Sequence, residues 1–182
     1  MKYWRACGAP RTAGLALAGA LLVLAGRAEA QFMGRGMKFS GAIGLSAPIG
    51  DLDQRAGTGF GAALRTESDL GSEQWALRGD FSFDRFAGRA PVDSYQYFTV
   101  ATNLVHRSNA KLYQFGGFGI YTAKTAIAAD NTRAESAFGF QGGVGLNLRT
   151  TGPKTFVEVG ITDVLTTGRS SVWFPVRFGI RM

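Results

Sequence analysis

The chain has 182 residues, a formal net charge of +7 and 46% hydrophobic residues, a length that suits one domain. It contains one cysteine and one histidine, which excludes disulfide frameworks and the common zinc-ligand sets. The basic residues form no cluster of the kind that binds nucleic acid. We therefore expect no metal, no cofactor and no nucleic-acid partner.

Residues 1–30 predict a secretory signal peptide. A basic start precedes an apolar run of 13 residues at 13–25, and residues 28–30 read Ala-Glu-Ala, a small-residue cleavage site. A transmembrane helix is disfavoured because a span needs about 20 apolar residues. Cleavage before Gln31 leaves residues 31–182 as one domain with a net charge of +4. Cys7 leaves with the signal peptide and is too far from the cleavage site for lipidation.

The mature chain shows alternating apolar and polar residues, which is the pattern of β-strands, and no helical period of useful length. In chain order, the predicted strands are residues 37–47, 58–66, 74–84, 95–105, 111–123, 135–148, 154–162 and 172–182. Breakers such as "SDLGS" and "TTGP" separate them. The glycines of "QFGGFGIY" leave the phase of residues 111–123 open. Strands of about 9–13 residues are long enough to cross a bilayer when tilted.

Alternation alone suits a soluble barrel and a membrane barrel equally. Three features favour the membrane barrel, with the apolar face outward. The polar face is rich in glycine and alanine, as the narrow interior of an eight-stranded barrel requires. Lysine is scarce in the mature chain and lies near strand ends. Charges of both signs occur within the strands, where they neutralise one another if they face inward but are costly if they face lipid.

The last segment, "SVWFPVRFGIRM", alternates up to Met182. A membrane sheet must have no open edge, because lipid offers no hydrogen bonds to the backbone. We therefore expect the last strand to pair with the first. The predicted fold class is all-β: an eight-stranded antiparallel up-and-down transmembrane β-barrel.

The sequence resembles the small eight-stranded OmpA/OmpX-like bacterial outer-membrane barrels. The resemblance rests on "SAPIGDLDQRAGTGFG", "ALRGDFSFDRF", "FGGFGIYTAK", "FGFQGGVGLNL", "TFVEVGITDV" and "FPVRFGIRM". It implies an outer-membrane location, periplasmic termini, contact with membrane lipid and lipopolysaccharide, and a final strand read by the barrel-assembly machinery. The assembly signal in this strand comprises Phe174, Phe178 and Met182. Members of the family usually end in an aromatic residue, whereas this sequence ends in Met182.

If both termini lie in the periplasm, each of the seven connections between strands is assigned to one side of the membrane. We expect residues 48–57, 85–94, 124–134 and 163–171 outside, as the somewhat longer connections, and residues 67–73, 106–110 and 149–153 as periplasmic turns.

Two residue sets are candidates for structural roles. Charged residues on the polar face predict a lumen charge network that packs the interior or, alternatively, lines a channel: Arg78, Asp80, Glu158, Arg177 and Arg181. Aromatic residues near strand ends predict interfacial girdles, unless some fill the lumen: Trp75, Tyr95, Tyr97, Tyr121, Trp173 and Phe174.

The only candidate catalytic pair lies in "LVHRSNAKL". His106 and Ser108 are two residues apart and share a face of a strand. The stretch resembles the His-x-Ser-Asn of the outer-membrane lipid A 3-O-deacylases, in which the His acts as base to the Ser. The acid of that family is missing, because no Asp or Glu lies between Ser108 and Asp130. A plain turn is the competing interpretation.

The function predicted first is therefore an integral outer-membrane barrel with a structural or surface role and no catalysis. The alternatives are a carrier or narrow pore for small or apolar molecules, and an esterase of the lipid A 3-O-deacylase type. The oligomeric state stays open.

Overall fold

A computed structural model describes residues 37–127, 131–149, 154–166 and 169–182; the predicted signal peptide lies outside these residues. Each of the eight predicted strands corresponds to an observed one. The strands are β1 (Lys38–Ile49), β2 (Ala56–Asp69), β3 (Trp75–Gly88), β4 (Val92–Arg107), β5 (Leu112–Ile127), β6 (Asn131–Asn147), β7 (Lys154–Thr166) and β8 (Arg169–Arg181). Among these described residues, no helix is long and apolar enough to cross a membrane.

The strands form one closed antiparallel barrel in sequence order. Each strand pairs with the next along the chain, and β8 pairs with β1 from Ser40↔Arg181 to Ile49↔Val172. The ladder extends past β8, because the Met182 amide donates to the Phe39 carbonyl at 2.8 Å. The sheet therefore has no open edge, and the up-and-down topology expected from the sequence is confirmed.

The described connections at the two ends of the barrel are of similar length. At the basal end, where β1 begins, residues 70–74 and 108–111 join strands; at the distal end, residues 50–55 and 89–91 do so. The expectation of longer connections at the distal end is wrong for these four. The strands continue beyond the apolar alternation, for example to the Ala87↔Ser94 pair, because a hydrogen-bonded ladder needs no apolar side chains to persist.

The side-chain distribution of the barrel is inverted relative to a soluble protein. Ile43 and Leu64 on the outer face are 69% and 70% exposed, whereas the inward Arg78 is 1% exposed. Twenty-eight large apolar side chains are exposed in the described residues, far more than the outside of a water-soluble domain carries. The outer face is matched to hydrocarbon, so the fold is that of a transmembrane barrel.

Strand β5 now has a definite phase. Tyr113 and Tyr121 point inward and are buried, while Leu112, Phe118 and Ile120 point outward. The inward tyrosine at position 113 lies over Gly145, its cross-strand partner on β6, where a Cβ would overlap the ring. The inward glycines thus make room for large side chains on neighbouring strands, which is why the lumen of a narrow barrel tolerates them.

Candidate functional site

The lumen has three layers along the barrel axis. From the distal end these are an aromatic cluster, a set of buried ion pairs and a basal cavity. The first two layers close the lumen, and the third is open space. Alternation explains how the strands bring these groups together, since every second side chain of each strand points into the lumen.

Four charged residues form the central ion cluster: Arg65, Arg78, Asp80 and Glu158. Arg65 donates to Asp80 Oδ1 at 2.7 Å through Nε and pairs with Glu158 Oε2 at 2.6 Å through Nη1. Arg78 donates to Glu158 Oε1 at 2.8 Å through Nη1, and its Nε lies 3.3 Å from Asp80 Oδ2. All four side chains are at most 3% exposed, so each charge depends on the others for compensation.

Neutral groups add hydrogen bonds to the carboxylates of the central ion cluster. Asn103 Nδ2 donates to Asp80 Oδ2 at 2.9 Å, and the Tyr113 hydroxyl donates to Glu158 Oε1 at 2.8 Å. The guanidinium of Arg78 also stacks over the Phe115 ring at 4.0 Å. The cavity beside the cluster measures about 20 Å³, too small for a substrate. The carboxylates are thus held by structural partners, which suits packing rather than catalysis.

The remaining predicted network residues lie in separate pairs. Arg177 donates to Asp84 Oδ2 at 2.7 Å, and Asp84 also accepts from the Ser46 hydroxyl at 2.8 Å. Arg181 lies near the basal end, with Nη2 3.5 Å from Glu67 Oε2. The structure therefore brings Asp80 and Glu158 into contact with Arg78 but gives Arg177 and Arg181 other partners.

The sequence-based set omitted three charged members of the lumen. Arg65, Glu67 and Asp84 are each at most 4% exposed. With them, the buried charges among the described residues are four arginines and four carboxylates, which balance. The alternation did carry a signal for these residues, because Arg65 and Asp84 fall on the polar face of their strands.

The distal aromatic cluster closes the lumen above the ion pairs. It consists of Leu52, Ala56, Phe86, Tyr95, Tyr97, Tyr121, Val164 and Trp173. The Trp173 ring lies 4.7 Å from Tyr97 and 5.6 Å from Phe86, centroid to centroid. Leu52 comes from the connection between β1 and β2 and is fully buried, so that connection folds inward as a cap.

This cluster decides between the two interpretations of the strand-end aromatics. Tyr95, Tyr97, Tyr121 and Trp173 fill the lumen, whereas Trp75 and Phe174 are exposed on the outer face, at 41% and 40%. Of these six residues, only Trp75 and Phe174 fit the girdle interpretation. The terminal-strand residues Phe178 and Met182 are likewise exposed, at 48% and 84%.

The basal end holds a polar cavity of about 490 Å³, the basal vestibule. Its charged lining residues are Lys38, Arg107, Arg149, Lys154 and Arg181, with Asp69 and Glu73. Lys38 Nζ and Arg107 Nη1 both donate to Asp69, each at 2.8 Å, and Arg107 also pairs with Glu67. The vestibule therefore carries more cationic than anionic groups.

The candidate catalytic pair is not assembled in the described structure. His106 Nδ1 lies 3.2 Å from Gln114 Nε2, and its ring packs against Trp75 at 4.5 Å. Ser108 instead lines the basal vestibule, and no hydrogen bond joins it to His106 in the described part of the chain. Nor do the described residues contain a group of three or more His, Cys, Asp or Glu side chains able to hold a metal ion.

No protein-family model and no curated protein matches the chain. Solved structures do match. Ail, the attachment invasion locus protein of Yersinia pestis, in complex with the heparin analogue sucrose octasulfate, is 17% identical with a TM-score of 0.55, over 80% of this chain and 99% of that chain.

Two further structures agree. Neisserial surface protein A is 10% identical with a TM-score of 0.55, over 80% of this chain and 96% of that one. The N-terminal barrel domain of OprF from Pseudomonas aeruginosa is 10% identical with a TM-score of 0.52, over 81% and 98%. At these identities the likeness concerns the fold, and it confirms that the chain has the eight-stranded barrel fold of small outer-membrane proteins.

Proposed function

We propose that the mature chain is an integral outer-membrane barrel with a structural or surface role and no catalytic turnover. One observation carries the proposal: an apolar outer face surrounds a lumen filled by ion pairs and aromatic rings. A surface of this kind is stable only against acyl chains, and a lumen closed by these two layers offers no continuous water path.

The proposed partners follow from the same surface. Acyl chains of outer-membrane lipid and lipopolysaccharide contact the exposed apolar belt. The basal end faces the periplasm, since it carries both ends of the ladder, as in the resembling family. The barrel-assembly machinery reads β8 through the outward Phe174, Phe178 and Met182.

Membrane fractionation tests the location. Expressed with its own amino-terminal segment in a Gram-negative host, the protein should separate with outer-membrane vesicles and run faster on a gel unheated than boiled. Recovery from the soluble periplasmic fraction, with identical mobility in both samples, would contradict the proposal. A soluble periplasmic protein expressed in parallel is the fractionation control.

A narrow pore is the second candidate, and the basal vestibule supports it because it gives the lumen one polar mouth. The distal aromatic cluster and the central ion cluster argue against it, since they close the path beyond that mouth. In planar bilayers we expect no conductance steps above the lipid baseline. Reproducible steps that scale with protein concentration would favour the pore.

An esterase of the lipid A 3-O-deacylase type is the third candidate. The separate environments of His106 and Ser108 argue against it. Mass spectrometry of lipid A from expressing cells should show unchanged acyl chains. Loss of one acyl chain with the wild type, but not with Ser108→Ala, would establish the activity instead.

A further inference from the structure

We propose that the basal vestibule binds a small anion that carries two or more carboxylate or phosphate groups. The inference goes beyond the proposed function and does not depend on it, because it concerns one cavity of the folded barrel. The basal vestibule measures about 490 Å³, within the range of about 300–1,000 Å³ typical of small-molecule sites.

The charges of the basal vestibule are unevenly compensated. Lys38 and Arg107 are held by Asp69 at 2.8 Å each. Arg149 and Lys154, by contrast, are exposed and form no ion pair with any residue of the described ranges. These two cations line the same cavity and are free to take anionic oxygens.

The basal vestibule also contains a largely buried cation, Arg181. Arg181 is 9% exposed, and its Nε has no hydrogen-bond partner in the described structure. Its guanidinium is positioned by the rings of Tyr113 and Phe156, at 5.3 and 5.5 Å. Nε itself is closed off from the cavity. An entering carboxylate or phosphate oxygen would meet the part of the Arg181 guanidinium that lines the vestibule, whose charge is shared with Glu67 through Nη2 at 3.5 Å.

The position of these groups explains why the ligand should carry more than one charge. Arg181 is the most buried cation of the lining, whereas Arg149 and Lys154 are exposed to solvent. An anion with two charged groups can contact Arg181 and the exposed pair Arg149 and Lys154 at the same time. An anion with one charged group can contact only one of these two sites, and Asp69 and Glu73 repel it from the rest of the lining. Both a soluble small anion and a lipid headgroup with two phosphates, as in cardiolipin, offer this chemistry.

Isothermal titration calorimetry on the folded barrel in maltoside micelles at low ionic strength tests the inference, with pyrophosphate and citrate as probes. We expect saturable one-to-one binding of at least one probe. The double variant Arg149→Gln/Lys154→Gln should weaken it about tenfold, as two exposed charge contacts allow. Added cardiolipin, a lipid with two phosphates, separates the two sources: displacement of the probe assigns the site to lipid phosphate, and unchanged binding assigns it to a soluble anion.

The matched control is Arg85→Gln/Lys124→Gln, which removes the same two charges from exposed positions in the distal half. This variant should bind as the wild type does. The inference is overturned if neither probe binds saturably, or if both double variants lose affinity equally, because binding would then follow net charge rather than the cavity. Either result leaves the outer-membrane proposal intact, since neither measurement uses the membrane location.

Discussion

Glu158→Gln tests whether the central ion cluster compensates its own charges. Glu158 accepts hydrogen bonds from Arg78 and Tyr113 at 2.8 Å and pairs with Arg65 at 2.6 Å, and its side chain is 3% exposed. The substitution keeps the shape of the side chain but leaves two buried arginines facing one carboxylate. Removing one partner of a buried pair costs about 3–5 kcal/mol.

Urea unfolding measured by gel mobility and tryptophan fluorescence reports this cost. With an m-value of about 2 kcal/mol/M, the midpoint should fall by about 2 M. Asp93→Asn, an exposed substitution of the same kind, should change the free energy of unfolding by less than about 0.5 kcal/mol. The double variant Glu158→Gln/Arg78→Gln restores charge balance, so its loss should be smaller than the sum of the single losses.

Equal midpoints for Glu158→Gln and Asp93→Asn would refute this reasoning. It would also be refuted if the loss of unfolding free energy in the double variant equalled the sum of the two single losses, because additivity means that the two side chains do not interact.

Three other predictions follow from the packing and the surface. Gly145→Val should destabilise the barrel by about 1–3 kcal/mol because it overlaps the Tyr113 ring, whereas Gly116→Val, which meets open space, should not; urea midpoints of the two variants compare them directly. Phe81→Arg should cost about 2–4 kcal/mol by placing a cation in the lipid-facing belt, and Phe81→Leu should cost less than about 1.5 kcal/mol; equal losses in lipid vesicles would mean that this face does not meet hydrocarbon. Phe178→Ala and Phe81→Ala each remove a lipid-facing ring and should cost a similar free energy of unfolding, about 1.5–3 kcal/mol, but only Phe178→Ala should slow insertion into the outer membrane in pulse-chase experiments; equal insertion kinetics in the two variants would remove Phe178 from the assembly signal.

The number of strands and their outward face were predictable because both rest on a local pattern. Ile43 and Leu64 alternate with small or polar neighbours, and a period of two assigns them to one face whatever the rest of the chain does. Glycine interrupts that pattern in β5. The phase of Tyr113 emerged only from pairing with β6, where Gly145 provides the space for its ring.

The partners within the lumen were not predictable. Arg65 and Glu158 belong to strands far apart in the sequence, and they meet because strand tilt and register bring β2 and β7 to the same height across the barrel. Alternation states that a side chain points inward but not which opposite side chain it meets. Trp173 illustrates the competing signals: its position near a strand end suggested a girdle, although it shares a face with Arg177 and lies in the lumen.

Lipid contacts of individual methyl groups test the central claim, the inversion of the barrel, most directly. In phospholipid nanodiscs, nuclear Overhauser effects from acyl-chain protons should reach the methyl groups of Ile43, Leu64 and Val100, which are 58–70% exposed. They should not reach Val105 or Val164, both fully buried. Acyl-chain contacts at Val105 and Val164, with none at the first three residues, would contradict the account.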